Sequence, residues 1–315
     1  MSVEVPPSSP FVSDVDPLPV VASTVLVTGA SGLLGTSLCR ILAGAGSKVV
    51  AHARSWCDRD GVAFPLENIE LIEPAVRSLQ PDWIIHAAGN TNVDACERDP
   101  VAAHRLHVEA SAELARAARN HGCRLIYVST DSVYDGARRG EHDETSDVRP
   151  INVYARTKRE GEQACLEASD TTIVARLNFF GLHPTRRQGL AAWLLENLRA
   201  GRSVNGFTDV WFNPLFSDDL AGLLARAIQE DLPGGVYNFG AADRCSKYEF
   251  ARGLAGLLGV DAGLVRPVTL TEAGLPTPRP RHTVTRTHKL STALRRSMPT
   301  IEEGLRRMLP LTSAV

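Results

Sequence analysis

The chain has 315 residues, of which 43% are hydrophobic and 22% charged, and its formal net charge is -2. That apolar share can offset the entropy of ordering the backbone, so disorder throughout is excluded. The near-balanced charge supplies no global field to hold nucleic acid or an anionic membrane. The N-terminus has no basic segment followed by a continuous apolar run, and no apolar stretch is long enough to span a bilayer. The expectation is a cytoplasmic protein. Six cysteines are scattered without a C-x-x-C pair, which reads as reduced thiols and not as a zinc or redox site.

Residues 1–22 carry five prolines among serines and acids, a composition predicting a disordered or extended tail. Order is expected from Thr24. Val25-Leu26-Val27 reads as a buried strand ending in Thr28-Gly29, and Leu33 to Ala43 as a helix stopped by Gly44 and Gly46. Lys48 to Ala51 reads as the second strand, Ile69 to Leu79 as a helix, and Trp83 to His86 as a strand. Pro100 opens a long helix to about Asn120. Then come a strand at Arg124 to Val128, a helix at Tyr154 to Ala168 and a strand at Thr172 to Arg176. This alternation predicts an α/β fold, a doubly wound parallel sheet of Rossmann type over residues 23–176. Beyond it, helices are expected at Gly189 to Arg199, Asp218 to Glu230 and Lys247 to Leu258, with a strand at Val236 to Asn238. Residues 177–315 are read mainly as a smaller C-terminal substrate lobe, with the chain returning to the sheet.

Gly29, Gly32 and Gly35 form a G-x-x-G-x-x-G spacing between the first strand and its helix. Glycines there permit a sharp turn, close approach of a pyrophosphate to backbone N–H groups, and tight helix–strand packing. The second strand ends in His52-Ala53-Arg54-Ser55, without the carboxylate that binds a ribose 2′-hydroxyl. Arg54 can instead pair with a 2′-phosphate, so NADP(H) is the expected cofactor, with NAD(H) as second candidate. Tyr154 and Lys158 stand at i and i+4 on one helix face. A nearby ammonium lowers a phenol's pKa, and Thr130, at the carboxyl end of a strand, can bond the same reacting oxygen.

These residues carry a resemblance. Thr28 to Gly35, His86 to Asp94, Ser129 to Gly136, Tyr154 to Lys158, Phe207 to Leu220 and Arg279-Pro280-Arg281 resemble the extended short-chain dehydrogenases/reductases. Within that group they resemble the dTDP-4-dehydrorhamnose reductases and related nucleotide-sugar 4-ketoreductases. The resemblance implies hydride delivery to a sugar keto carbon, with Thr130, Tyr154 and Lys158 as the catalytic set. It implies cofactor contacts at Gly29, Ser31, Gly32, Leu33, Leu34, Ala87, Ala88, Gly89 and Thr91, as well as at Tyr154 and Lys158, beside the Arg54 and Ser55 expected from the end of the second strand. Substrate contacts are implied at Thr91, Asp131, Ser132, Asn213 and Arg281. A nucleotide sugar is the implied partner, and a homodimer is a further expectation; nucleic acid, membrane and metal are not expected.

The pattern departs from that family where His107 replaces a helix asparagine, Ser132 replaces a tyrosine, and Phe207 to Pro214 replaces a glutamine-rich stretch. The basic run with Arg279, Arg281, Arg286 and Lys289 reads either as a diphosphate clamp or as a solvated loop. Asp218-Asp219 is expected to cap a helix, and Trp193, Trp211 and Phe212 either to wall a nucleotide base or to fill the core. Two other functions stay open. One is a nucleotide-sugar epimerase or dehydratase. The other is a non-catalytic NADP-binding regulatory subunit similar to the methionine adenosyltransferase β subunit.

Overall fold

The computed structural model describes residues 21–55 and 61–313. The first half alternates strands with helical segments: β1 (Thr24–Thr28), α1 (Leu33–Gly44), β2 (Lys48–Ala53), β3 (Val62–Ala63), α2 (Ile72–Leu79), β4 (Trp83–His86), α3 (Val93–Arg98), α4 (Pro100–His104), α5 (Ala110–Asn120), β5 (Arg124–Val128), α6 (Val153–Ala168) and β6 (Ile173–Leu177). The second half runs β7 (Phe179–Phe180), α7 (Leu190–Arg199), β8 (Val204–Phe207), β9 (Trp211–Phe212), β10 (Leu215–Phe216), α8 (Ser217–Gln229), β11 (Gly235–Phe239), β12 (Cys245–Ser246), α9 (Lys247–Leu258), β13 (Val265–Val268), α10 (His288–Ala293) and α11 (Ile301–Met308).

Seven strands form one sheet in the order β11-β6-β5-β4-β1-β2-β3, and every pairing is parallel. The sheet is buried on both faces, which explains why the apolar residues of β1 and β4 run on without alternation and why β6 is buried throughout, Arg176 included. Strand order reverses between β1 and β4, opening a crevice at their carboxyl ends, where such sheets bind ligands. β11 returns to the sheet beside β6, while β8 with β13 and β9 with β12 form small two-stranded sheets beyond it. One apolar cluster runs from Val25 and Leu38 through Leu224 to Phe250 and Leu305, so both halves of the chain share it.

Several expectations need correction. The tail was expected to reach residue 22, and its residues 1–20 lie outside the described ones. Val21, however, is 2% exposed in the main core, and its N–H donates to Ala45 O at 2.8 Å. A single valine between the prolines and β1 is thus enough to anchor the chain. The helix expected from Ile69 begins as a 3-10 turn and becomes α-helical only at Ile72. The long helix from Pro100 carries a π-helical turn, Arg105–Glu109, that buries His107. α3 escaped the periodicity argument because it is six residues long and set by its cap, Asn92 Oδ1, which accepts from Ala95 N–H at 2.9 Å. α8 is capped by neither aspartate. Its N-cap is Phe216, and Asp218 and Asp219 sit in the first turn as ion-pair partners of Arg40 and Arg307.

Candidate active site

The turn after β1 is built by steric exclusion. Gly29 has φ +70°, and a Cβ there would lie 2.7 Å from Ala88 N. A Cβ on Gly35 would meet Gly29 O at 2.1 Å, so the start of α1 can lie against the turn only with glycine at that position. Gly32 is the N-cap of α1 and offers no side chain, and the first turn holds no acid. The leading N–H groups therefore face the crevice with the helix's partial positive charge. His183 fastens the turn from the other side. Its Nδ1 accepts from the N–H groups of Thr185 and Arg186, so Nε2–H donates to Ser31 O at 3.1 Å.

Gly29, Ser31, Gly32, Arg54, Ala87, Ala88 and Gly89 line one pocket, together with His52, Ala53, Phe64, Leu66, Glu67 and Leu106. The other residues expected at the cofactor lie differently. Leu34 points into the core and can offer only its backbone, Leu33 is partly buried, and Ser55 and Thr91 are exposed. The lining suits the adenosine and phosphate part of a dinucleotide, since it combines the uncapped N-terminus of α1, apolar walls from Phe64, Leu66 and Leu106, and a guanidinium. Arg54 nonetheless does not stand alone, because it forms an ion pair with Glu67. Sequence reasoning did not single out Glu67; only the packing of β3 beside β2 brings it there.

The reactive residues converge at the carboxyl end of β5. Asn152 caps α6, with its Oδ1 accepting from Ala155 N–H at 2.8 Å and its Nδ2 donating to Pro278 O at 3.0 Å. This sets Tyr154 in the first helical turn, with its phenol close enough to Thr130 for that hydroxyl to act on its pKa. Burial raises the Tyr154 pKa to about 12, against the lowering effect of the Thr130 hydroxyl. The expectation that Lys158 lowers this pKa is not met. Lys158 Nζ donates to Val128 O at 2.7 Å and lies 4.0 Å from the centre of the Tyr127 ring. Burial lowers its own pKa to about 8. Tyr154 is thus a protonated donor at neutral pH, and Lys158 keeps most of its charge there.

His107 stands where the resemblance implies an asparagine. Its Nε2 accepts from Asn90 N–H at 3.0 Å, so Nδ1–H donates to Thr157 Oγ1 at 2.8 Å. Burial, reinforced by the Lys158 charge, lowers its pKa to about 3. A neutral imidazole therefore ties the loop after β4 to α6 and has no nitrogen left for a relay to Lys158.

Beneath these residues lies a network that sequence reasoning missed. Glu162, wholly buried, takes two bonds from Arg176, at 2.9 and 2.8 Å, one from Ser129 Oγ at 2.6 Å and one from Arg159 at 2.8 Å. Burial opposes its ionisation, but the Arg176 bonds win and the Glu162 pKa is lowered. Arg176 also donates to Tyr134 Oη at 3.0 Å. The available signals were Glu162 standing four residues after Lys158 and an arginine in an otherwise apolar strand.

On the substrate side, several expected contacts are engaged with the protein. Asn213 is 4% exposed, and its amide binds the backbone of Ala241 and Thr285 at 2.9 to 3.2 Å, so it clamps loops and does not face a ligand. Asp131 is buried and accepts from Thr283 Oγ1 at 2.6 Å and Asn178 Nδ2 at 2.8 Å. Burial raises its pKa despite those bonds. Ser132 Oγ also donates to Asp131, at 3.3 Å. The basic run is strapped down as well: Arg281 to Asp209 and Thr271, Arg279 to Asp94, Arg286 to Glu141, and Lys289 to Val236 O. The cation that lines a second pocket is Lys247, set among Leu190, Trp193, Asn205, Phe207 and Leu275. Its Nζ lies 4.4 Å from the centre of the Phe212 ring, and its charge acts on Asp131. Of the three aromatics, Trp193 lines this pocket and Phe212 belongs to the core.

Residues 23–313 match the family described as RmlD substrate binding domain. The chain belongs to that family. Among RmlD-type relatives, a dTDP-4-keto-6-deoxy-D-glucose reductase of Streptomyces niveus is 34% identical over 82% of this chain and 87% of its own. The crystal structure of a dTDP-4-dehydrorhamnose reductase from Bacillus anthracis in complex with NADP superposes with a TM-score of 0.84 at 26% identity, covering 92% of this chain and 99% of that one. A methionine adenosyltransferase 2 subunit beta of Xenopus tropicalis is 29% identical over 84% of this chain and 80% of its own. The RmlD family membership and the sheet order together make the fold a Rossmann-type α/β fold. Among the described residues no helix is long and apolar enough to cross a membrane.

Proposed function

We propose that this protein reduces the 4-keto group of a nucleotide-activated deoxysugar, with NADPH as reductant. The observation that carries the reading is the placement of Tyr154 beside Thr130 at the carboxyl edge of the sheet, next to a phosphate turn whose helix N-terminus has no side-chain cap. The S. niveus reductase and the NADP-bound B. anthracis reductase support the same chemistry. In this reading residues 23–176 carry the cofactor and residues 177–315 mainly the substrate, with the Lys247 pocket receiving the nucleotide.

A bound nicotinamide supplies the hydride. Tyr154 gives its proton to the developing alkoxide, a transfer favoured because the phenol is neutral at working pH and aimed by Thr130. Lys158, fixed by Val128 O, would hold the nicotinamide ribose, and its charge acts on the neighbouring His107. Gly29, Ser31, Gly32 and the N-terminus of α1 hold the pyrophosphate. The neutral His107 ties the loop after β4, which carries Ala87, Ala88 and Gly89, to α6.

A dehydratase reading would place an acid after Asp131, and Ser132 stands there. A regulatory subunit without turnover is separated by experiment. NADPH oxidation is followed at 340 nm against a panel of nucleotide 4-keto-6-deoxysugars, with product stereochemistry read by NMR. Turnover on at least one sugar, cut at least about a hundredfold in Tyr154→Phe, is expected. Tight NADPH binding with no turnover across the panel would favour the binding subunit.

A further inference from the structure

The adenosine end of the cofactor pocket holds two opposite charges at the point where NADP and NAD differ. Arg54 follows β2 directly, and 66% of its side chain is exposed. Its guanidinium pairs with the carboxylate of Glu67, which is only 23% exposed. Glu67 is itself held in place, because Arg105 Nε donates to its backbone carbonyl at 2.8 Å and the adjoining Leu66 is buried under the sheet. Both charged side chains line the same pocket as Gly29 and Ala88.

A carboxylate at this end of a dinucleotide site accepts a ribose 2′-hydroxyl, whereas a guanidinium takes a 2′-phosphate. Here each group neutralises the other. We propose that Glu67 is a cofactor-specificity residue, which restrains Arg54 from the 2′-phosphate of NADP and offers an acceptor to the 2′-hydroxyl of NAD. To bind a 2′-phosphate, Arg54 has to leave Glu67, and Glu67 is left facing a group with about two negative charges. Both effects weaken selection for NADP. The pair is half open to solvent, so screening keeps the effect moderate. This proposal rests on the dinucleotide reading of the pocket.

The test uses the full chain and two probes, adenosine 2′,5′-bisphosphate and adenosine 5′-monophosphate, which differ only in the 2′-phosphate. Titration calorimetry measures both on wild type, Glu67→Gln and Glu67→Ala. Removing the carboxylate is expected to tighten the bisphosphate on the order of three- to tenfold, as expected for an exposed ion pair plus relief of like charge, and in Glu67→Ala to weaken the monophosphate by roughly two- to tenfold, since its 2′-hydroxyl loses an acceptor. The gain should shrink as salt is raised, and Arg54→Met should lose bisphosphate affinity in every background. An unchanged or lowered ratio between the probes in both Glu67 variants overturns the role of Glu67, while the dinucleotide reading survives. A wild type that binds neither probe, nor NADPH, nor NADH overturns both.

Discussion

Replacing Glu162 by alanine tests whether the buried network under the site is as costly to break as its geometry implies. Glu162 and Arg176 have side chains 0% and 2% exposed, and they share two hydrogen bonds below 3 Å. Removing the carboxylate strands a guanidinium that burial keeps from water and deprives Ser129 Oγ of its acceptor. Breaking a buried pair from one side costs about 3–5 kcal/mol, because an uncompensated charge remains. Glu162→Ala should therefore lose about that much in urea or guanidinium unfolding, read as a shift of the midpoint at constant slope. Since Ser129 precedes Thr130, turnover should fall as well. The double variant Glu162→Leu/Arg176→Met, which removes both charges, should recover most of the stability. Acid gives an independent check. The folded Glu162 pKa is lowered, so its contribution is present above the unfolded value and is lost as pH falls through the folded one. A loss under about 1 kcal/mol in the single variant would mean that water reaches Arg176, and the argument from burial would fail.

Tyr154→Phe should cut turnover roughly 10²–10⁴-fold while NADPH affinity, read by fluorescence titration, stays near wild type. The pH profile of kcat/KM should fall on the alkaline side near the Lys158 pKa of about 8, because the ammonium is lost there, while Tyr154 at about 12 keeps its proton; a plateau to pH 10 would remove the Lys158 charge from the reaction. A truncation that removes Val21 and Ala22 should be less stable than one ending at Val20 by about 1.5–3 kcal/mol, the value of one buried valine, in thermal or denaturant unfolding.

What the sequence by itself determined is whatever a few adjacent residues decide. The glycine spacing of the turn is local at Gly35, where a Cβ would meet Gly29 and Ala30, whereas Gly29 answers to Ala87 and Ala88 after β4. The pairing of Tyr154 with Lys158 follows from helical pitch alone. The alternation of strands with helices over residues 23–176 announced a parallel sheet covered on both faces. Tertiary structure decided which charges meet. Arg54 is read as free until β3 brings Glu67 beside it, thirteen residues on. Arg281 resembles a clamp until Asp209 is found against it, and Asn213 a ligand contact until Thr285, 72 residues away, takes its amide. Lys158 lowers a phenol's pKa in principle, yet the backbone carbonyl of Val128 lies within its reach and burial of Tyr154 outweighs any such effect. Backbone conformation is set over a few residues, whereas a charge is governed by whatever lies within a few ångströms, and in a folded chain those groups come from anywhere in the sequence.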